Sequence, residues 1–94
     1  MKTTDGLTDA QAMALEYSGT FDAPSPAQLA GVDAECHVKV CRNSERFWVL
    51  VTGRSGKKIF GVVCNALLDN PDLPFGAPVC LEERHVYCIV RIEG

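Results

Sequence analysis

The stretch Glu45 to Val63, ERFWVLVTGRSGKKIFGVV, limits what this chain can fold into more than any other. Two apolar runs flank a short centre with two glycines, the residue that takes positive φ in tight hairpin turns at no steric cost. The spacing predicts a β-hairpin with strands at Arg46 to Thr52 and Lys58 to Asn65, joined through GRSGK, whose Gly53 and Gly56 can take positive φ. Arg54, Lys57 and Lys58 give this hairpin a basic tip.

A period of two also runs ahead of the hairpin. In DAECHVKVCRN, Cys36, Val38 and Val40 point one way and His37, Lys39 and Cys41 the other, the pattern of a half-buried strand. Further strands are predicted at Pro78 to Glu82 and His85 to Ile92, joined tightly near Glu83 and Arg84. ALLDNPDLPFGAP lies between them as a loop or single helical turn, broken by Pro71, Pro74 and Gly76. Upstream, a helix is predicted from Ala10 to Tyr17, capped by Thr8 or Asp9 and ended by Gly19. Ser25 caps a shorter turn that starts on Pro26 and runs through Leu29 to Gly31, and Met1 to Gly6 are expected to be disordered.

Ninety-four residues suffice for one domain. The expected fold class is α+β: an N-terminal helix followed by a small five-stranded antiparallel curled sheet or SH3-like barrel, with an OB-like barrel as the nearest competitor. Residues 1–31 form the helix and a Pro-containing linker packed on the body, and residues 32–94 form the antiparallel β domain. The expected core is Val38, Val40, Phe47, Val49, Val51, Ile59, Val63, Val79, Leu81, Val86 and Ile89. Phe47 and Trp48 are adjacent in a strand and face opposite sides, so the second face also needs cover. Either the N-terminal helix meets Trp48 and Phe60 there, or Trp48 is exposed and anchors a partner.

The net charge of −3 conceals a segregation. Residues 1–36 hold Lys2 against Asp5, Asp9, Glu16, Asp22, Asp33 and Glu35, whereas residues 37–60 hold Lys39, Arg42, Arg46, Arg54, Lys57 and Lys58 against Glu45 alone. Two outcomes follow: oriented docking of these patches on a partner, or mutual neutralisation in the fold.

Five cysteines, an odd number without any C-x-x-C pair, read as reduced, buried thiols. Cys36, His37 and Cys41 do not suit one metal ion, because neighbouring strand residues face apart. His85 is expected to be held structurally by Glu82 or Glu83, and nothing in the spacing joins a histidine to a nucleophile and an orienting group. No cofactor and no catalytic residue is assigned. GRSGK lacks the G-x-x-x-x-G-K-[ST] spacing of a nucleotide-binding loop. No apolar run is long enough to span a bilayer and no signal-peptide pattern is present, so a cytoplasmic protein without membrane attachment is expected.

The series ERFWV at Glu45 to Val49, Ile59 and Gly61 in KIFGVV, Asn65 and Leu67 in CNALL, Phe75 and Gly76, and ERHVYCI at Glu83 to Ile89 resembles a loosely defined family of small bacterial domains of unknown function, common on phages and plasmids. The resemblance spans roughly Glu35 to Ile92 and implies a compact β-barrel-like domain with no known chemistry. Together these readings lead to the expectation of a small non-catalytic protein-binding module. Its concrete form is a phage or plasmid accessory protein that inhibits a host defence complex, of anti-CRISPR type, through charged patches. The partner-binding residues are then Arg46, Trp48, Arg54, Lys57, Lys58, Asp22, Asp33 and Glu35. The alternative is a nucleic-acid-binding small barrel that uses Arg54, Lys57 and Lys58.

Overall fold

The computed structural model of the chain describes residues 2–17, 19 and 22–91. Two short helices, α1 (Ala10–Glu16) and α2 (Pro26–Ala30), precede five strands: β1 (Cys36–Arg42), β2 (Glu45–Ser55), β3 (Lys58–Val63), β4 (Pro78–Glu82) and β5 (Cys88–Arg91). The strands form one antiparallel sheet in the order β4-β3-β2-β1-β5, so the chain is a small α+β domain with the expected number of strands.

The sheet is not closed into a barrel. Its edge strands, β4 and β5, are joined through a 3₁₀ turn, Glu83–His85, but do not pair. The N-terminal segment runs between strand edges instead. Thr4 donates its backbone N–H to Cys80 O on β4 (2.7 Å), Leu7 bridges Arg42, and Thr8 N–H donates to Cys41 O on β1 (2.9 Å). The expected disorder of Met1 to Gly6 is therefore corrected for Thr3 and Thr4, where the Thr4 backbone and both threonine hydroxyls are held by β4; Met1 lies outside the described residues.

Two hairpin turns set the register. Asn43 (φ 54°) and Ser44 (φ 64°) form a two-residue loop closing on the Arg42–Glu45 pair, the backbone that right-handed strand twist favours. Asn70 holds this unusual non-glycine turn. Buried to 1% exposure, it donates Nδ2 to Arg42 O and Glu45 Oε1 and accepts from Asn43 Nδ2. At the second hairpin β2 runs further than expected, to Ser55, while β3 starts at Lys58 as expected, and the turn is Gly56–Lys57 with Gly56 at φ +59°. Gly53 does not take positive φ, because it lies inside β2 next to a bulge between Val51 and Gly53.

That bulge changes which way the hairpin points. Val51 pairs with Gly61, yet Gly53 pairs with Phe60 and Arg54 with Ile59, so Thr52 is the extra residue. Beyond it, Arg54 shares a face with buried Ile59 instead of facing solvent with Trp48. On the inner face Val38, Val40, Phe47, Val49, Val51, Ile59, Val63, Val79, Leu81 and Val86 form one core with Leu29, Val32, Cys36 and Leu73, and Ile89 packs half-buried against it. At inner position 61 only glycine fits, since a Cβ would lie 2.4 Å from Leu50 O.

Asp9 caps α1, accepting from Ala12 N at 2.9 Å, and the helix stops at Tyr17 before Gly19. Ser25 and Gln28 form a reciprocal capping box on α2, whose Leu29 enters the core. His85 belongs to the 3₁₀ turn rather than to the last strand, because its Nδ1 accepts the Glu82 N–H (3.0 Å) and Val86 N–H returns to Glu83 O (3.2 Å). The expected strand end at Ile92 lies outside the described residues, and β3 ends at Val63, two residues short of Asn65.

Candidate protein-docking face

The outer face of the sheet is built by the pairing of β1, β2, β3 and β5. Register places Lys39 beside Trp48, His37 beside Leu50, Leu50 beside Val62, and Val90 beside His37. Trp48, Leu50, Phe60, Val62 and Cys64 are half-buried there, whereas Val90 is 48% exposed. The expectation that α1 covers Trp48 and Phe60 is corrected. α1 buries only Ala10 and packs on the 3₁₀ turn, where Ala10, Cys41 and Tyr87 make a small second core. Its apolar stripe is too narrow to span the sheet.

At the centre of this face, His37, Trp48, Cys64, Asn65 and Val90 line a cleft of about 320 Å³. Trp48 is held from three sides. Its backbone N–H donates to Asn65 Oδ1 (2.6 Å), its carbonyl accepts from Cys64 N (2.9 Å), and Lys39 Nζ stands 4.9 Å from the ring centroid. Arg46 lies likewise over Tyr87, at 5.1 Å. Burial raises the Tyr87 phenol above its ordinary range. The face thus offers an apolar centre with two cations stacked on aromatic rings and no acidic side chain on the outward positions of β1, β2 and β5.

The segregated charges of the sequence meet one another in the fold. Arg54 donates to Leu29 O and Val32 O (both 2.9 Å), to Gly56 O, and to Glu83 Oε2. This cation closes α2 and the hairpin tip onto the 3₁₀ turn and is not a free tip charge. Asp33 accepts from Glu35 N and from Arg91, which also lies 3.8 Å from Glu35. The Glu35 N–H first and Arg91 second hold the Asp33 carboxyl below the usual carboxylate range. Arg84 reaches Asp9 and Glu82, and Arg42 reaches Asp72. Of the eight residues singled out in the sequence, Lys57, Lys58 and Asp22 are exposed without an ion pair among the described residues, and Arg46 and Trp48 belong to the outer face. The eight therefore do not converge on one patch.

Sequence parity already placed Leu50 with Trp48. Val62, Cys64, Asn65 and Val90 needed the strand register, which the bulge and the edge position of β5 conceal.

All five cysteines are free thiols, but the expectation that all are buried is corrected. Cys36, Cys41 and Cys80 are buried, Cys64 is half-buried, and Cys88 is exposed on the edge strand. Cys36 faces the core while His37 faces outward, so they do not meet at one ion. Among the described residues no group of three His, Cys, Asp or Glu side chains is arranged to hold a metal. No described helix is long and apolar enough to cross a membrane. No family model, curated protein or solved structure matches the chain.

Proposed function

We propose that the chain is a non-catalytic protein-binding module that docks through the outer sheet face around Trp48. The observation that supports this is a second sheet face, apolar at its centre, that neither helix covers. A tryptophan whose backbone is fixed by Asn65 and Cys64 and whose ring lines an open cleft is the kind of side chain that dominates interface energetics. The cations Lys39 and Arg46 bias the face toward an acidic partner surface. A cytoplasmic setting belongs to the same proposal, supported by five free thiols in a small domain.

The concrete form, an accessory protein of a phage or plasmid that blocks a host defence complex, is supported by the residue resemblance at Glu45 to Ile89. The docking mechanism differs from one run through charged patches, since Arg54, Asp33 and Glu35 are engaged internally. The alternative is a nucleic-acid contact at the hairpin tip, supported by exposed Lys57 and Lys58.

Affinity capture from bacterial lysate, run with the chain and with Trp48→Ala and Lys57→Glu/Lys58→Glu, tests the proposal. A retained protein lost with Trp48→Ala and kept with the lysine reversals is the expected result. Retention unaffected by Trp48→Ala overturns it, and a low-salt gel shift abolished by the lysine reversals establishes the alternative.

A further inference from the structure

The outer edge of β5 has unspent backbone hydrogen-bonding capacity, and strand alternation identifies which residues carry it. The two-residue Asn43–Ser44 loop makes Arg42–Glu45 a hydrogen-bonded pair, so on β1 the even residues Val38, Val40 and Arg42 direct their N–H and C=O groups to β2. His37, Lys39 and Cys41 direct theirs the opposite way, as Thr8 N–H to Cys41 O and Tyr87 N–H to Lys39 O both show. The β1–β5 register pairs Lys39 with Cys88 and His37 with Val90. Cys88 and Val90 therefore spend their backbone groups on β1. Ile89 and Arg91 aim theirs away from the sheet, and no described residue takes them up.

A groove runs along that edge. Ile89 lines two adjoining hollows of about 290 and 280 Å³, whose far wall is Pro24, Ala27 and Gln28 of the α2 region. Arg91 spans the second hollow, donating to Gly31 O (2.8 Å) and to Asp33, so the open length of the groove runs beside Ile89. It does not suit a second copy of this domain, which brings its own α2 alongside its own β5. The edge is also continuous with the docking face, because Val90 lines the Trp48 cleft.

We infer that an extended peptide segment of a partner protein adds to β5 as a sixth strand, hydrogen-bonded to the backbones of Ile89 and Arg91. Main-chain bonding supplies the affinity, and side-chain alternation supplies the selectivity. Alternate side chains of the added strand lie beside Val90 on the Trp48 face, where an apolar residue fits the rim of the cleft. The intervening side chains enter the groove against α2. The inference rests on the proposed docking function and names the chemical form of its ligand.

The test uses the full chain and short random peptides displayed on phage, followed by amide hydrogen exchange and NMR with the selected peptides. In the free chain Ile89 and Arg91 amides exchange fast while Cys88 and Val90 amides are protected. With a selected peptide bound, Ile89 and Arg91 become protected and the Trp48 indole resonance shifts. Ile89→Pro removes an outward N–H that the β1–β5 ladder does not use, so the Lys39–Trp48 region keeps its spectrum while peptide affinity falls by about tenfold or more. Arg91→Pro repeats the check at the second outward N–H, with Arg91→Ala as the control for the lost Asp33 and Gly31 contacts.

Peptides that shift Trp48 but leave Ile89 and Arg91 unprotected overturn the added strand while sustaining docking on the face. Selection of no peptide, in a preparation that retains a lysate protein through Trp48, also overturns the added strand alone. Selection of none together with Trp48-independent capture overturns both. Slow exchange at Ile89 in a concentration-dependent dimer identifies a second copy as the occupant and overturns the peptide reading.

Discussion

Arg54 donates to Glu83 across the gap between the hairpin tip and the turn that joins β4 to β5, and the same guanidinium closes the carbonyls of Leu29 and Val32 at the end of α2. One side chain thus ties three separate segments, with both ion-pair partners largely shielded, at 22% and 18% side-chain exposure. Removing it takes the donor from Glu83 and from the Val32 carbonyl, while Leu29 O keeps the Val32 N–H. Arg54→Ala is expected to destabilise the fold by about 2–4 kcal/mol. Arg54→Lys recovers only part of this, because an ammonium cannot reproduce the planar fork. Lys57→Ala and Lys58→Ala stay within about 0.5 kcal/mol of the parent. Urea unfolding of the four variants measures this, and equal effects at 54, 57 and 58 contradict the assignment.

The direction of Arg54 shows where strand parity stops being legible. From Cys36 to Val51 the period of two assigns faces correctly, because Cys36, Val38 and Val40 set the inner face and the Asn43–Ser44 loop carries that register onto Phe47, Val49 and Val51. At Thr52 a single bulged residue inverts the parity, and nothing in VTGRS marks it except Gly53, a residue equally suited to a turn. The glycine turn near Gly56, a cap at Thr8 or Asp9 and the Ser25 cap of α2 are readable because each relies on local chemistry; the reciprocal Gln28 bond of that cap is found only in the structure. The cover of the outer face was not. α1 has apolar residues at helical spacing, but only Ala10 finds a buried place, and its location depends on the N-terminal strap that Thr4 and Thr8 make with β4 and β1.

Gly61 lies on the inner face with the Leu50 carbonyl 2.4 Å and Val49 Cγ1 2.5 Å from where a Cβ would stand. Neither neighbour is the end of a flexible side chain, so the sheet itself has to give. Gly61→Ala is expected to cost about 1–3 kcal/mol, the range of an overpacked core. Thermal unfolding reads it, with Gly19→Ala as a contrast at positive φ (+92°) without crowding. A neutral Gly61→Ala contradicts the observed backbone approach.

His85 is buried to 2% exposure with Nδ1 accepting the Glu82 N–H. Burial, assisted by Arg84 and opposed by Glu82 and Asp9, lowers its pKa from the ordinary 6.5. Because the folded pKa is the lower one, the unfolded chain takes up the proton first. Stability is therefore complete above pH 6.5 and declines as the pH falls below it. Asp9, Asp33, Glu45 and Glu82 also have lowered values, and their contributions are lost only near and below the ordinary 3.8 and 4.5. His85→Asn, whose amide oxygen can accept the same N–H, flattens the melting temperature between these windows. A parent melting temperature that is constant from pH 7 to pH 5 contradicts this.

The cysteines divide by position in the sheet. Cys88, on the outward side of edge strand β5, reacts with a thiol reagent in the native state, whereas Cys36 and Cys80, both at 0% exposure, react only on unfolding. Mass spectrometry of the labelled native chain locates the modification. Native labelling of Cys36 or Cys80 ahead of Cys88 contradicts the placement of β5.

If the Trp48 face receives a protein, the Trp48 ring changes its surroundings on binding. The chain has one tryptophan, so fluorotryptophan labelling gives a single fluorine resonance that reports on that face alone. Its fluorine spectrum in bacterial lysate, compared with buffer, is the most direct measurement. The resonance is expected to shift or broaden on binding and to return to its free position when unlabelled chain is added in excess. A Trp48 resonance that stays at its free position while the labelled chain demonstrably co-migrates with a larger partner contradicts it.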